Sequence, residues 1–329
     1  MHKALSAWLL AHRTGEPVCH RNLQMIPLFA PRAAYPERDY LLFEEAAAQS
    51  LAQVTEVSPS GSVPELRVVN DADLPVLLLD GEELIGAKQN RVLNLTVLVA
   101  ARSTTSIPVS CVEAGRWHME SATFRAAPHA QPSGSRASRA ASVSASMRSE
   151  GSRRSDQQSV WDDIRVRCLR MGSSSPTGAM NQMFEDHKPA IDGFVNNLRP
   201  CEGQGGALFR LKSRVLSLDL FDHPATLARV LPKLVRSAAL DAIDPALEQD
   251  AAGDSTADFL ARIAGSSVDC KPGVSLGDDF RIASAHSTGG ALAWQGRFVH
   301  IYAFPRTNGG SHGSNFSRPS SRARGSERP

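Results

Sequence analysis

Two polar blocks hold most of the residues in this chain that could do chemistry. The first, DGEELIGAKQNR at residues 80–91, sets Glu82 and Glu83 beside Lys88, Gln89, Asn90 and Arg91. The second, CVEAGRW at residues 111–117, adds Glu113, Arg116 and Trp117. Carboxylates serve as general bases in hydrolysis, guanidiniums grip phosphate oxygens in pairs, and an indole face stacks on a base or sugar. The pattern nominates Glu82 and Glu113 as catalytic bases. Lys88, Gln89, Asn90, Arg91, Arg116 and Trp117 are the ligand-binding candidates for a small phosphorylated ligand. The competing reading of the first block is a solvated hairpin edge guarded by charges.

The run from Cys111 to Arg116 invites comparison with the Cys-based anion loops of rhodaneses and cysteine phosphatases, in which five residues separate nucleophile and arginine. Here four intervene and no helix signal follows Arg116, which shrinks the anion cradle. Cys111 reads more simply as a small core residue at a strand end. The G-x-S-x-G at residues 309–313 lies in the basic tail, outside any strand-to-helix pattern, and no Walker loop or G-x-G-x-x-G is present, so hydrolase-triad and dinucleotide chemistry lack a carrier. Asp219, Asp222 and His223 crowd together, but a Pro-initiated helix follows them, and capping accounts for Asp222 and His223. Neither a metal nor a cofactor is expected.

Short apolar runs deliver both blocks. Residues 76–79, 92–99 and 106–112 read as strands, as do 22–29, 53–57 and 64–70, separated by turn signals at 58–61 and 70–73. Four to six strands before Trp117 suffice for a sheet that covers itself. Residues 41–51 read as a short helix. Later, 160–171 and 178–198 are amphipathic helices, the second opened by Ser175-Pro176-Thr177. A hairpin at 206–221 turning at Lys212-Ser213 precedes a helix at 225–243, whose Leu227, Val230, Leu231, Leu234 and Val235 share one face. A further helix starts near Ser255. A second hairpin at 290–304 resembles the first, and the two are expected to pair into one sheet flanked by the 225–243 helix.

The fold class expected is α+β, with a mainly antiparallel β N-terminal half and helices plus β-hairpins in the C-terminal half. Residues 1–21 form a flexible N-terminus and 22–125 the β-rich part carrying the polar cluster. Residues 126–158, with segments such as SGSRASRAASVSASMRSEGSRRS, have too few apolar side chains to offset ordering entropy and read as a linker. A basic surface helix and an RNA- or phosphate-binding arm are the alternatives, the latter weakened by the lack of interleaved aromatics. Residues 159–305 form an α+β part, and 306–329 a disordered basic tail.

Length and composition bound the rest. The chain has 329 residues, is 42% hydrophobic and carries a formal net charge of only +2, so it can bury a real core and lacks a nucleic-acid footprint. Five scattered cysteines without a C-x-x-C pair argue against disulfides and zinc and fit a reducing cytoplasm. No membrane role is expected.

The segments LLLDGEELIGAKQNRVLN, IPVSCVEAGRW, SPTGAM and LDLFDHPATLARVLPKLVRSAALDA resemble those of the ARG and rhodanese-phosphatase-superfamily-associated protein domain, over roughly residues 23–304. The resemblance implies association with ADP-ribosylglycohydrolases and rhodanese- or phosphatase-type proteins, and hence processing of ADP-ribose or NAD-derived nucleotides. It supplies no catalytic residues. The functional expectation is a protein that binds, or binds and hydrolyses, an ADP-ribose-like or other phosphorylated nucleotide. The alternative is a non-enzymatic interaction module that docks a partner enzyme, and whether the protein is an enzyme at all stays open.

Overall fold

A computed structural model describes residues 2–31, 37–247 and 253–306. The expected disordered tail lies outside these residues except for Arg306. The chain opens with α1 (His2–Leu10), β1 (Arg13–Thr14), β2 (Val18–His20) and β3 (Leu23–Phe29). The expectation of a flexible N-terminus does not hold here. Leu5 and Leu9 are buried in one core with Phe259 and Ile263 of the helix Thr256–Ala264, and β1 and β2 both pair with β3. An amphipathic helix whose apolar side chains meet a second helix is held by that burial, whatever its position in the chain.

Next come β4 (Leu41–Leu42), α2 (Phe43–Ala48), β5 (Ala52–Glu56), β6 (Glu65–Asn70), β7 (Val76–Leu78), β8 (Glu82–Gly86), β9 (Arg91–Leu93), β10 (Val97–Val99), β11 (Ser103–Cys111) and β12 (Phe124–Ala130). The expected self-covering sheet is a closed six-stranded barrel in the order β11-β6-β5-β12-β8-β9. Side chains alternate across a strand, and one parity of each fills the barrel: Val54, Leu66, Val68, Leu84, Leu93, Ile107 and Val109 share a single core. Two glycines set the β8 geometry. Gly81 enters at φ 74° and Gly86 leaves at φ 132°, where a Cβ would fall 2.5 Å from Ser121 Oγ and 2.8 Å from the Thr123 carbonyl. Only glycine takes such φ values without strain. A small sheet, β10-β7-β4, packs Val76, Leu78, Val97 and Val99 on the same core.

The C-terminal half holds α3 (Ser133–Ser149), α4 (Gln157–Met171), α5 (Asn181–Asp186), α6 (Lys188–Asn197), β13 (Gln204–Leu211), β14 (Arg214–Phe221), α7 (Pro224–Ala242), α8 (Thr256–Ala264), β15 (Ser267–Pro272), β16 (Asp278–Ala283), β17 (Ser287–Trp294) and β18 (Arg297–Pro305). The two hairpins do pair, through β14 and β18. They belong to a nine-stranded sheet running β1-β3-β13-β14-β18-β17-β16-β15, with β2 beside β3. One face of that sheet carries α1 and α8. On the other face α7 packs Leu227, Val230, Leu231, Leu234 and Val235 into a core that includes Ala207, Phe209 and Phe221. The protein is α+β, its strand pairings antiparallel except β4 with β7. No described helix is long and apolar enough to cross a membrane.

Residues 126–158 are not a linker. They complete β12 and form α3, a 17-residue helix touching β14, β16, β17 and β18 on one side and α7 and α4 on others. Val143 and Met147 of α3 pack on the barrel core, and its first half is held by ionic contacts. Arg136 and Arg139 lie one turn apart and both are fully buried. Arg136 makes a 3.0 Å bond to Asp80 and a fork of 3.1 and 2.7 Å to Asp219, while Arg139 meets Asp80 at 3.0 Å and donates to Gln131 at 2.9 Å. Across the seam, Arg281 of β16 donates to Ser144 Oγ, the Ala140 carbonyl and Tyr302 Oη. Alanine and serine let helix and sheet approach closely, and guanidiniums matched to carboxylates replace the missing apolar side chains.

Candidate functional site

The barrel has a polar end. In β9, Leu93 faces the core, so Arg91, two residues earlier, points the same way at the strand's other end. The same parity carries Glu56 at the end of β5 and Cys111 at the end of β11. All three are buried, beside the turn 87–90 that joins β8 to β9.

The second polar block folds over this end. Glu113 Oε2 accepts from Arg116 Nη2 at 2.7 Å and from the Asn90 N–H at 3.0 Å, and its Oε1 accepts from Thr177 at 2.7 Å. Arg116 Nη1 donates to the Ala87 carbonyl at 2.6 Å, and its Nη2 also reaches Asn90 Oδ1 at 3.1 Å. Gln89 donates to the Glu113 carbonyl at 3.0 Å and accepts from Cys111 Sγ at 3.3 Å. Lys88 Nζ donates to the Ser60 carbonyl at 2.9 Å and lies 5.3 Å from the Trp117 ring centre, while the Arg91 guanidinium sits 5.7 Å from it. Trp117 is 47% exposed and covers a guanidinium that is 0% exposed.

Of the eight nominated residues, seven converge: Glu113, Lys88, Gln89, Asn90, Arg91, Arg116 and Trp117. Glu82 does not join them. It starts β8, roughly 13 Å of strand from Gly86 at about 3.3 Å per residue. There it accepts from the Leu79 N–H at 3.2 Å and pairs with Lys233 of α7, which also meets Glu44 at 2.9 Å. Burial alone would lower the Lys233 pKa, but these two carboxylates outweigh it and raise it.

The electrostatics sort the cluster into satisfied and unsatisfied groups. Burial pushes the Glu113 carboxyl upward, yet Arg116, Thr177 and the Asn90 N–H together hold it below the usual range. A carboxylate so tied is a counter-ion, since a general base works best with a pKa near the operating pH. Burial raises the Cys111 thiol despite Arg91 nearby, so it is no thiolate nucleophile. Arg91 is the exception. Its Nη1 makes one long bond of 3.4 Å to the Asn90 carbonyl, and its Nε and Nη2 have no partner among the described residues. Burial and then Arg116 lower its pKa, only partly offset by Cys111, Glu56 and Glu113.

Sequence reasoning missed Glu56, Thr177 and Gln157. Gln157, at the start of α4, bonds both the N–H and the carbonyl of Cys111 at 2.8 Å. Thr177 belongs to SPTGAM, whose carbonyl at Thr177 accepts from the Gly115 N–H and whose Met180 N–H donates to Val112. That motif clamps the loop over the barrel. Glu56 had no signal beyond its parity at the end of β5.

Barrel, helix seam and nine-stranded sheet define an α+β protein with a polar cluster sealed into one barrel mouth. The chain belongs to the ARG and Rhodanese-Phosphatase-superfamily-associated Protein domain family, whose profile matches residues 11–304. The family's name ties it to ADP-ribosylglycohydrolase and to rhodanese and phosphatase superfamily proteins. No curated protein matches the chain, and no solved structure does.

Proposed function

We propose that this protein is a receptor for a small phosphorylated ligand of the ADP-ribose type, held at the barrel mouth, and not a hydrolase. The observation that carries the reading is Arg91, a buried guanidinium with two unpaired nitrogens under an exposed tryptophan. An unpaired buried cation is costly, and unpaired buried donors at functional sites await an acceptor. Barrel mouths are recurrent ligand sites. A phosphate accepted by Arg91, with the free Nε of Arg116 close by, would relieve that cost, and Trp117 would stack on the base or sugar. Entry requires the loop 112–123 to swing outward. That loop contains no helix or strand, and most of its residues are exposed. Both oxygens of the nominated base Glu113 are taken, which favours binding over turnover at that carboxylate.

A second reading rests on the same loop, which exposes Met119 (51%) beside Trp117. Such a pair would suit a protein partner, because aromatic anchors dominate interface energetics.

The test is calorimetric titration of wild type, Arg91→Met and Trp117→Ala with ADP-ribose at two salt concentrations. Wild type should bind, more weakly at high salt, Arg91→Met should lose binding, and Trp117→Ala should bind several-fold more weakly. Silence of the wild type at millimolar ligand would remove this ligand class and leave the docking loop as the better account.

A further inference from the structure

A second polar feature shares none of its lining residues with the barrel mouth. Between the first two turns of α3, the start of β14 and the end of β18 runs a cleft of about 300 Å³. Its walls include Ala137, Val215 and Leu216, and most of its lining is apolar. At its polar end sit Ser133 and Gly134, the first two residues of α3, and Arg167 of α4.

Three observations mark that end as built to receive an acceptor. Ser133 is only 2% exposed, and its Oγ has no partner. Arg167, 5% exposed, spends Nη1 on Asp241 at 2.7 Å and leaves Nε unpaired. The first N–H groups of a helix have no intrahelical acceptor. Asp241 takes that of Ser133 at 2.8 Å, but among the described residues nothing takes that of Gly134. Unpaired donors therefore gather where the helix end is already favourable to negative charge. Arg214 adds a cation to the lining, and no carboxylate of the described residues pairs with it.

The charge balance selects the ligand's head. Asp241 also lines the cleft and is neutralised by Arg167, leaving Arg214 and the exposed Arg306 as net positive charge. A dianion would lie against the Asp241 carboxylate at close range, whereas a monoanion gains the same donors with less repulsion. The apolar walls then need a short hydrocarbon or ring. We propose that this cleft binds a small amphipathic carboxylate, its head on Ser133, Gly134 and Arg167, its charge balanced by Arg214, and its apolar body against β14.

Thermal-shift and calorimetric titration of the full chain with sodium octanoate, octylamine and inorganic phosphate test this. Octanoate should bind saturably and raise the melting temperature, as a ligand of the folded state does, while octylamine and phosphate should not. Ser133→Ala should weaken octanoate several-fold and Arg214→Gln about tenfold, the worth of one charge-assisted contact. Among the described residues neither side chain has a partner to lose, so both variants should melt like wild type. Trp117→Ala should leave octanoate binding unchanged, which separates this site from the barrel mouth. Equal binding of octylamine, saturation by phosphate, or indifference to both variants would overturn the assignment.

Discussion

The barrel mouth and the α3 seam both bury arginines, and they do so in opposite ways. In the seam, Arg136 is forked onto Asp219 and bonded to Asp80, and its neighbour Arg139 shares Asp80. In the mouth, Arg91 has no carboxylate of the described residues within bonding distance and keeps two nitrogens unpaired among them. The first arrangement fixes one packing of helix against sheet. The second is an incomplete site, because a cation already removed from water has most to gain from an incoming anion. Arg116 stands between them, paired with Glu113 yet retaining a free Nε.

That contrast makes graded expectations for stability. Arg136→Met should cost the most, about 3–5 kcal/mol in urea unfolding, because it leaves Asp80 with Arg139 alone and Asp219 with His300 alone in the interior. A cost below about 1 kcal/mol would mean the seam does not hold the layers together. Acid should act on the same place. Although buried, the Asp219 carboxyl is held at about 2, below its ordinary 3.8, chiefly by Arg136 and also by His300. A carboxyl depressed by folding stabilises the native state above its unfolded pKa and loses that contribution as pH falls through the folded one. Wild type should therefore lose stability between about pH 4 and pH 2, and Asp219→Asn should flatten that limb of the curve.

Arg116→Met should be intermediate, about 1.5–3 kcal/mol, the range for lost hydrogen bonds to a charged partner. Arg91→Met should change stability least, by less than about 1 kcal/mol in either direction, since it removes a desolvated charge with almost nothing bonded to it. If Arg91→Met instead unfolds the protein as Arg136→Met does, Arg91 is a structural cation and the incomplete-site reading fails.

Much of this organisation was legible in the residues. Apolar runs at 53–57, 64–70 and 106–112 announced strands, and the two hairpins, the Lys212 turn with φ 53° and the apolar face of α7 all follow from local rules. The convergence of residues 88–91 with 113–117 was not legible: the sequence put both blocks on strands of one sheet but left open whether their side chains meet. Glu82 was placed with them by proximity in sequence. The strand carried it to the opposite end, and its partner Lys233 lies 151 residues away.

What the sequence by itself determined is the set of elements with apolar periodicity and the antiparallel hairpins. These depend on spacings of two to four residues, which any local reading can see. Only the tertiary structure decided that SGSRASRAASVSAS is a buried helix, that Leu5 and Leu9 are core, and that Arg91 is unpaired while Arg136 is not. The reason is one of distance. A serine- and arginine-rich segment looks too polar to fold until its carboxylates arrive, and Asp80 and Asp219 lie 56 and 83 residues from Arg136. A charge counted as solvated in the sequence becomes structural or functional according to what the fold sets against it.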